Sequence, residues 1–212
     1  MTGVIASMNE RRARAAACWS CGAETADPRP FCAACGAVQP PADADHFSRL
    51  GLEPRFDLDE TALERAYVAA QRDLHPDRFV GRPVRERRLS AEQSMALNES
   101  FAVLRDPLAR AEYLLELAGH PMPSESATTS DPALLGEALE LRESLAEADG
   151  APAVARLAAE AAALVEAARA EVGRGLAARD WSGAATAVRR LRYLARFAAE
   201  VEERRLGTAL PA

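Results

Sequence analysis

The sequence predicts an all-α chain: a helical hairpin opened by a proline-bearing loop, then a C-terminal three-helix bundle, with a small four-cysteine ribbon ahead of both. Three observations predict it. The composition is 49% hydrophobic but only 5% aromatic, and much of that is Ala and Leu, which favour helix, while β-branched residues are few. Apolar residues recur at three- and four-residue spacing through the middle and the C-terminal half. All four cysteines fall in two Cys-x-x-Cys-Gly strings inside residues 18–38.

Residues 1–17 read as a disordered N-terminus. They carry Arg11, Arg12 and Arg14 but no apolar core followed by a cleavage site, which excludes a secretory signal. Their Arg/Ala content is similar to a mitochondrial transit peptide, so the cytoplasm is the expected location and the mitochondrial matrix the alternative. No apolar run reaches the roughly 18–20 residues of a membrane span, and no membrane partner is expected. The net charge of -6 argues against binding nucleic acid. All 26 basic residues are arginine, which we read as genome composition bias.

Cys18-Trp19-Ser20-Cys21-Gly22 and Cys32-Ala33-Ala34-Cys35-Gly36 can each set two thiolates on one metal ion, the glycine permitting the tight turn. Four thiolates closing a tetrahedron describe a structural site with no vacant position, hence a small N-terminal zinc ribbon holding one ion. Metal–sulfur bonds let about twenty residues fold without a core of their own. A rubredoxin-like iron, two disulfides and a redox pair are the rival readings. In a reducing compartment paired cysteines more often hold metal. Docking on the following domain, a second partner surface and oxidation sensing are the roles open to this module; docking is favoured.

A Pro/Asp-rich joint, Gln39 to Asp43, leads into a helical region over 45–119. A short helical turn covers Asp45–Leu50. Asp57 or Asp59 caps the next helix, whose Leu63, Ala66, Tyr67, Ala70 and Leu74 share one face until Pro76 breaks it. After Gly81 and Pro83 a third helix carries Leu97, Phe101 and Leu104. Asp106 caps a fourth, which opens with Pro107 and ends at Gly119. Residues 120–131 are polar, proline-punctuated linker. Over 132–207 three helices are expected: Pro132–Glu147, Pro152–Ala178, and from the Asp180 cap to about Leu206. Such short connections force antiparallel neighbours.

The loop after the first long helix carries the chemistry. Pro76 pushes the preceding residue out of helical geometry, and His75 and Asp77 flank the break. From Arg72 to Arg88 stand six arginines against three acids, in a chain that is acidic overall. Such a face suits an acidic protein partner, because complementary charge steers encounter. No nucleophile elbow or hydrolytic triad accompanies His75, so the chain is not expected to be an enzyme.

His75-Pro76-Asp77 between two amphipathic helices, preceded by Asp45-His46-Phe47-Ser48-Arg49-Leu50-Gly51-Leu52, resembles a J-domain. The resemblance implies that His75, Pro76 and Asp77 touch a DnaK-type chaperone and promote its ATP hydrolysis, with Arg72 and Arg65 as charge contacts. The later strings Pro107-Leu108-Ala109-Arg110-Ala111-Glu112-Tyr113-Leu114-Leu115, Leu139-Glu140-Leu141-Arg142-Glu143 and Ala187-Val188-Arg189-Arg190-Leu191-Arg192-Tyr193-Leu194 resemble the HscB family of iron–sulfur cluster co-chaperones over roughly Asp45 to Leu206. Some members of that family carry tetracysteine extensions. The family implies an HscA- or DnaK-type chaperone and an IscU-type scaffold protein as partners. The alternative is a general J-domain co-chaperone whose bundle takes unfolded clients.

In the family the scaffold sits on an apolar patch of the bundle. On the first bundle helix Leu134, Ala138, Leu141 and Leu145 form a stripe that can serve the core, and Leu135 and Leu139 form a second, rotated by about 100°. On the last helix the expected core stripe is Val188, Leu191, Ala195 and Ala198, with Tyr193 and Phe197 off it. Apolar residues left over once a core is filled are candidates for a binding patch. The resemblance points to Leu135, Leu139 and Tyr193, and Gly136 departs from the larger apolar residue that related sequences often carry.

Overall fold

The computed structural model describes residues 16–25, 29–123 and 131–209. Residues 1–15 of the expected disordered segment and 124–130 of the expected linker lie outside these. The chain divides into two compact units, Met1–Arg110 and Ala111–Ala212. The division falls inside a helix that the sequence reading assigned whole to residues 45–119.

In the first unit β1 (Ala16–Ala17) pairs antiparallel with β2 (Glu24–Thr25). Ala16 and Ala17 thus belong to the cysteine module and not to a disordered N-terminus. Strand pairing gives the backbone on either side of the first knuckle its hydrogen-bond partners. The helices follow as α1 (His46–Arg49), α2 (Glu60–Leu74), a 3-10 turn over Pro76–Phe79, and α3 (Val84–Arg105). Asp45 caps α1 by accepting from the Ser48 amide at 2.9 Å. Asp59, not Asp57, caps α2, accepting from Thr61 and Ala62. Phe47, Phe56, Leu63, Leu74, Phe79, Leu89, Leu97 and Leu104 are buried, and Tyr67 stacks on Phe101 with ring centroids 4.2 Å apart.

The inner face of α3 is unusually polar. Ser90, Gln93, Ser94 and Ser100 are buried with Leu89, Leu97 and Leu104. Each makes a hydrogen bond, as burial demands: Ser90 Oγ donates to the Leu74 carbonyl (2.7 Å), Ser94 Oγ to Gln71 Oε1 (2.9 Å), Ser100 Oγ to the Ala96 carbonyl (2.8 Å) and Gln93 Nε2 to the Gln39 carbonyl (3.0 Å). α4 (Pro107–Leu117) opens at Pro107, with the Leu108 amide donating to Asp106 Oδ1.

The second unit contains α5 (Pro132–Glu147), α6 (Gly150–Ala178) and α7 (Trp181–Ala209). Asp131 caps α5. The α6–α7 reversal is made at Arg179, in left-handed geometry at φ 57°, and at Asp180, whose carboxylate accepts the Gly183 amide. Leu141, Leu145, Val154, Leu157, Ala161, Ala168, Val172, Val188, Leu191, Leu194, Phe197 and Val201 are among the unit's buried residues. Phe197 is 1% exposed and so belongs to the core, contrary to the sequence reading, while Ala195 and Ala198 are only half-buried. An α7 that touches both α5 and α6 buries a wider arc than a single stripe anticipates. Arg190 ties the three helices together, its guanidinium reaching Glu137 of α5 (2.7 Å) and Glu171 of α6 (3.1 Å). Among the described residues no helix is long and apolar enough to cross a membrane.

Gly175 lets α6 and α7 approach closely. A Cβ there would lie 3.0 Å from both Cα and Cβ of Ala184, and backbone cannot move aside. Gly175→Leu is expected to destabilise the protein by about 1–3 kcal/mol through overpacking, outweighing the helix propensity gained. A lowered thermal midpoint checks it, with Gly136→Ala, where a Cβ meets nothing within 4 Å, as a control that does not lower it.

Candidate functional site

The loop between α2 and α3 is built to present His75 and Asp77. α2 ends at Leu74 because Pro76 cannot continue it, and His75 has left helical geometry at ψ 130°. The side chains of His75 and Asp77 are 54% and 86% exposed, whereas Phe79, two residues on, is buried and pins the turn. The Asp77 amide donates to Nδ1 of His75 (3.3 Å), which leaves the proton of a neutral ring on Nε2. Arg78 folds back, donating to the Arg72 carbonyl (2.9 Å) and lying 3.5 Å from the Asp73 carboxylate. The base of the loop is therefore closed by main-chain contacts while its two polar side chains stay in solvent.

Arg65 and Arg72, the charge contacts expected from the sequence, lie exposed on α2, and Arg82, Arg85, Arg87 and Arg88 are exposed beyond the turn. The basic face read from composition is thus a surface feature. Val80 and Val84 flank it at 78% and 73% exposure.

The cysteine module is a repeat of itself fourteen residues on. Cys18 donates its amide to Ala23 and accepts the Gly22 amide; Cys32 does the same with Ala37 and Gly36. The Ala17–Glu24 pairing is matched by the Phe31–Val38 bridge. Gly22 and Gly36 stand at φ 75° and 74°, a region other residues rarely enter. The four sulfurs lie within 4.8 Å of one another, with Cys18 Sγ 3.7 Å from Cys35 Sγ and Cys21 Sγ 3.8 Å from Cys32 Sγ. The edge of a tetrahedron with metal–sulfur bonds of about 2.3 Å is about 3.8 Å, whereas a disulfide needs about 2.05 Å. The donor set therefore fits one tetrahedral ion. Amides of Cys21 and Ser20 and the neighbouring thiols lower Cys18 to about 6 despite desolvation. Cys21 receives the Ala23 amide, which lowers its pKa, but Cys35, desolvation, Cys18 and Cys32 together push it up to about 12. The Cys21 thiol thus resists ionising beside its neighbours, and a cation held by the four sulfurs would remove that resistance.

This module packs on the helical hairpin. The Arg85 guanidinium lies 4.5 Å from the centroid of the Trp19 ring, which is itself held inside the module by donation from Nε1 to the Val38 carbonyl (2.6 Å), and Gln93 of α3 holds the Gln39 carbonyl. A cleft of about 420 Å³ between them is lined by Cys35 and Ala37 on one side and Asp73, Arg78 and Arg82 on the other. Sequence reasoning anticipated docking but not Gln39 and Gln93; a Gln–Gln tie carries no periodic signal.

In the second unit Leu135 and Leu139 lie one turn apart on α5, 50% and 61% exposed. Tyr193 is half-buried, its hydroxyl donating to the Ala138 carbonyl at 3.0 Å, so α7 brings it beside the residue preceding Leu139. The three expected patch residues are thus gathered on one region of the bundle, with Gly136 leaving open space beside them.

The comparisons with known proteins follow the same lines. Residues 130–202 match the family model described as the HSCB C-terminal oligomerisation domain. The chain is similar to a co-chaperone protein HscB homolog of Azoarcus sp. (strain BH72), 41% identical over 164 residues that cover 75% of this chain and 92% of the relative. Among solved structures it resembles the human co-chaperone protein HscB, with a TM-score of 0.85 and 28% identity over 91% of this chain and 100% of that one. It also resembles the chaperone HscB from Vibrio cholerae, with a TM-score of 0.68 and 32% identity over 78% and 99%.

Proposed function

Because the chain belongs to the HscB family of co-chaperones, we propose that it binds an IscU-type iron–sulfur scaffold and stimulates the ATPase of an HscA- or DnaK-type chaperone, promoting cluster assembly or transfer. The observation that carries the reading is the exposed imidazole–carboxylate pair of His75 and Asp77, held on a closed turn beside six arginines. In this reading Arg65 and Arg72 guide the chaperone in, because opposite charge steers encounter, and the Pro76 turn keeps the loop ordered before contact. Leu135, Leu139 and Tyr193 hold the scaffold, so that one chain brings chaperone and client together. The chaperone does the covalent chemistry; this chain regulates it. The proposed setting is the cytoplasm, where the four thiols stay reduced.

The direct test is steady-state ATPase of a DnaK-type chaperone with scaffold, with and without this protein. Stimulation that saturates with added protein is expected, and a flat response would overturn the proposal. A pull-down separates the dedicated adaptor from a general co-chaperone: the former retains one folded scaffold and ignores denatured model clients.

We also propose that Cys18, Cys21, Cys32 and Cys35 hold a single structural zinc, the ion supplying cross-links that a module with so small a core lacks. Purified protein is expected to carry about one zinc per chain by elemental analysis. Metal-free protein, or an iron chromophore, would reject the assignment.

A further inference from the structure

The polar inner face of α3 connects two features that the proposed function leaves separate. Gln39 follows the second knuckle directly and is held on every side: its amide donates to the Pro30 carbonyl (2.8 Å), and its side-chain Nε2 donates to Cys18 Sγ (3.4 Å) and to the Ala37 carbonyl (2.7 Å). Its own carbonyl accepts from Gln93 Nε2 at 3.0 Å. Gln39 and Gln93 are 6% and 3% exposed, so water does not substitute for these bonds. One turn earlier on the same face of α3, the fully buried Ser90 donates to the carbonyl of Leu74, the residue that launches His75.

We propose that Gln93 and Ser90 are positioning residues through which occupancy of the cysteine site sets the geometry of the His75-Pro76-Asp77 turn. A metal ion fixes Cys18 Sγ, Cys18 fixes the Gln39 side chain, and the Gln39 carbonyl fixes Gln93 and with it the stretch of α3 that grips the end of α2. The module can do this because Trp19 under Arg85 seats it on α3 independently. When the ion leaves, the knuckles lose the cross-links that hold Gln39, and Gln93 loses a buried acceptor with no replacement. The turn then samples more conformations, and the fraction ready for the chaperone falls. A falling competent fraction raises the concentration needed for half-maximal stimulation and leaves the maximum unchanged. Coupling of this kind is reciprocal, so breaking the Gln93 bond also weakens metal binding.

This inference rests on the chaperone reading, and its test separates the two. Hydrogen exchange is measured on the full chain, zinc-loaded and chelated, for wild type and Gln93→Met, a substitution of similar length that removes the donor. In wild type, chelation is expected to speed exchange of the His75 and Arg78 amides, which donate to Gln71 and His75, by roughly tenfold. Zinc-loaded Gln93→Met is expected to show that faster exchange already, with less than about twofold more on chelation, and to hold zinc roughly tenfold more weakly against a chromophoric chelator. In the ATPase assay the half-maximal concentration shifts in parallel while the maximum holds. Unchanged exchange in chelated wild type overturns the inference, as do effects of chelation and substitution that simply multiply. Should Gln93→Met not fold, the wild-type comparison decides alone. Failure of zinc-loaded wild type to stimulate any chaperone sinks the functional reading instead, and leaves the exchange result to judge the coupling.

Discussion

His75→Gln is expected to cut stimulation of the chaperone ATPase by about 30-fold or more while leaving the protein folded. The figure is that of a side chain worth about 2 kcal/mol at the heart of an interface. It is assigned to His75 because, with Asp77, it is one of the two exposed and chemically specific side chains the turn presents. Phe79 is buried, and Arg78 is turned back onto Arg72. Glutamine keeps a polar tip with a donor and an acceptor but loses the rigid ring, whose Nδ1 accepts the Asp77 amide and so fixes where the donor points. The imidazole is half-exposed and lies outside the core, so the expected change in stability is within about 0.5 kcal/mol. The thermal midpoint is therefore the control. Raised salt should weaken wild-type stimulation through the arginine face without mimicking the substitution, since exposed charges separated by more than about 8 Å are screened at physiological ionic strength. Equal stimulation by wild type and His75→Gln would remove the central claim.

Much of this arrangement was legible before any coordinates, and what was legible shares a cause. Helix ends are local events. Asp59, Pro76, and Asp106 with Pro107 act on backbone groups a few residues away, so the string alone reveals them. The tetracysteine site was legible for the same reason, each knuckle being closed by its own amides. Even the outward Leu135–Leu139 pair followed from one helix's periodicity.

The misreadings are those that depend on how many neighbours an element has. Phe197 was placed outside the core because a single partner buries a narrow stripe, yet α7 packs against two helices and Phe197 is enclosed. Ser90 and Gln93 were passed over because serine and glutamine on a helix usually face water. Their partners, Leu74 and Gln39, lie 16 and 54 residues away in sequence. No periodicity rule reaches that distance. Ala16 and Ala17, read as part of a disordered tail, are held by a strand partner beyond the first knuckle. Each failure is a hydrogen bond or packing contact between elements, and two of them involve the cysteine module, the part whose role is least evident from sequence: the Gln93–Gln39 tie that attaches it and the strand pairing inside it.

Leu135→Ala combined with Leu139→Ala is expected to weaken scaffold binding by roughly 30-fold and to leave the bundle intact. Full burial of a leucine is worth about 1.5–3 kcal/mol. At 50% and 61% exposure, each side chain has about half of that still to gain on contact, and truncation to alanine forfeits most of the gain at both. The sum is about 2 kcal/mol, or about 30-fold in Kd. Stability does not follow, because the core is served by Leu141 and Leu145 on another face of α5 and alanine is the better helix former. Leu206→Ala supplies the control, an equally exposed leucine (56%) near the end of α7. Its removal should not change scaffold affinity. Gly136 gives the opposite sign: its Cβ direction is open, so Gly136→Leu adds apolar surface beside Leu135 and Leu139 and is expected to tighten binding several-fold. The loss should persist at high salt, because apolar contact is not screened, and this separates it from any change on the arginine face. Calorimetric titration of the folded scaffold measures the affinities of wild type and the three variants, and an unaltered Kd for the double substitution would refute the patch.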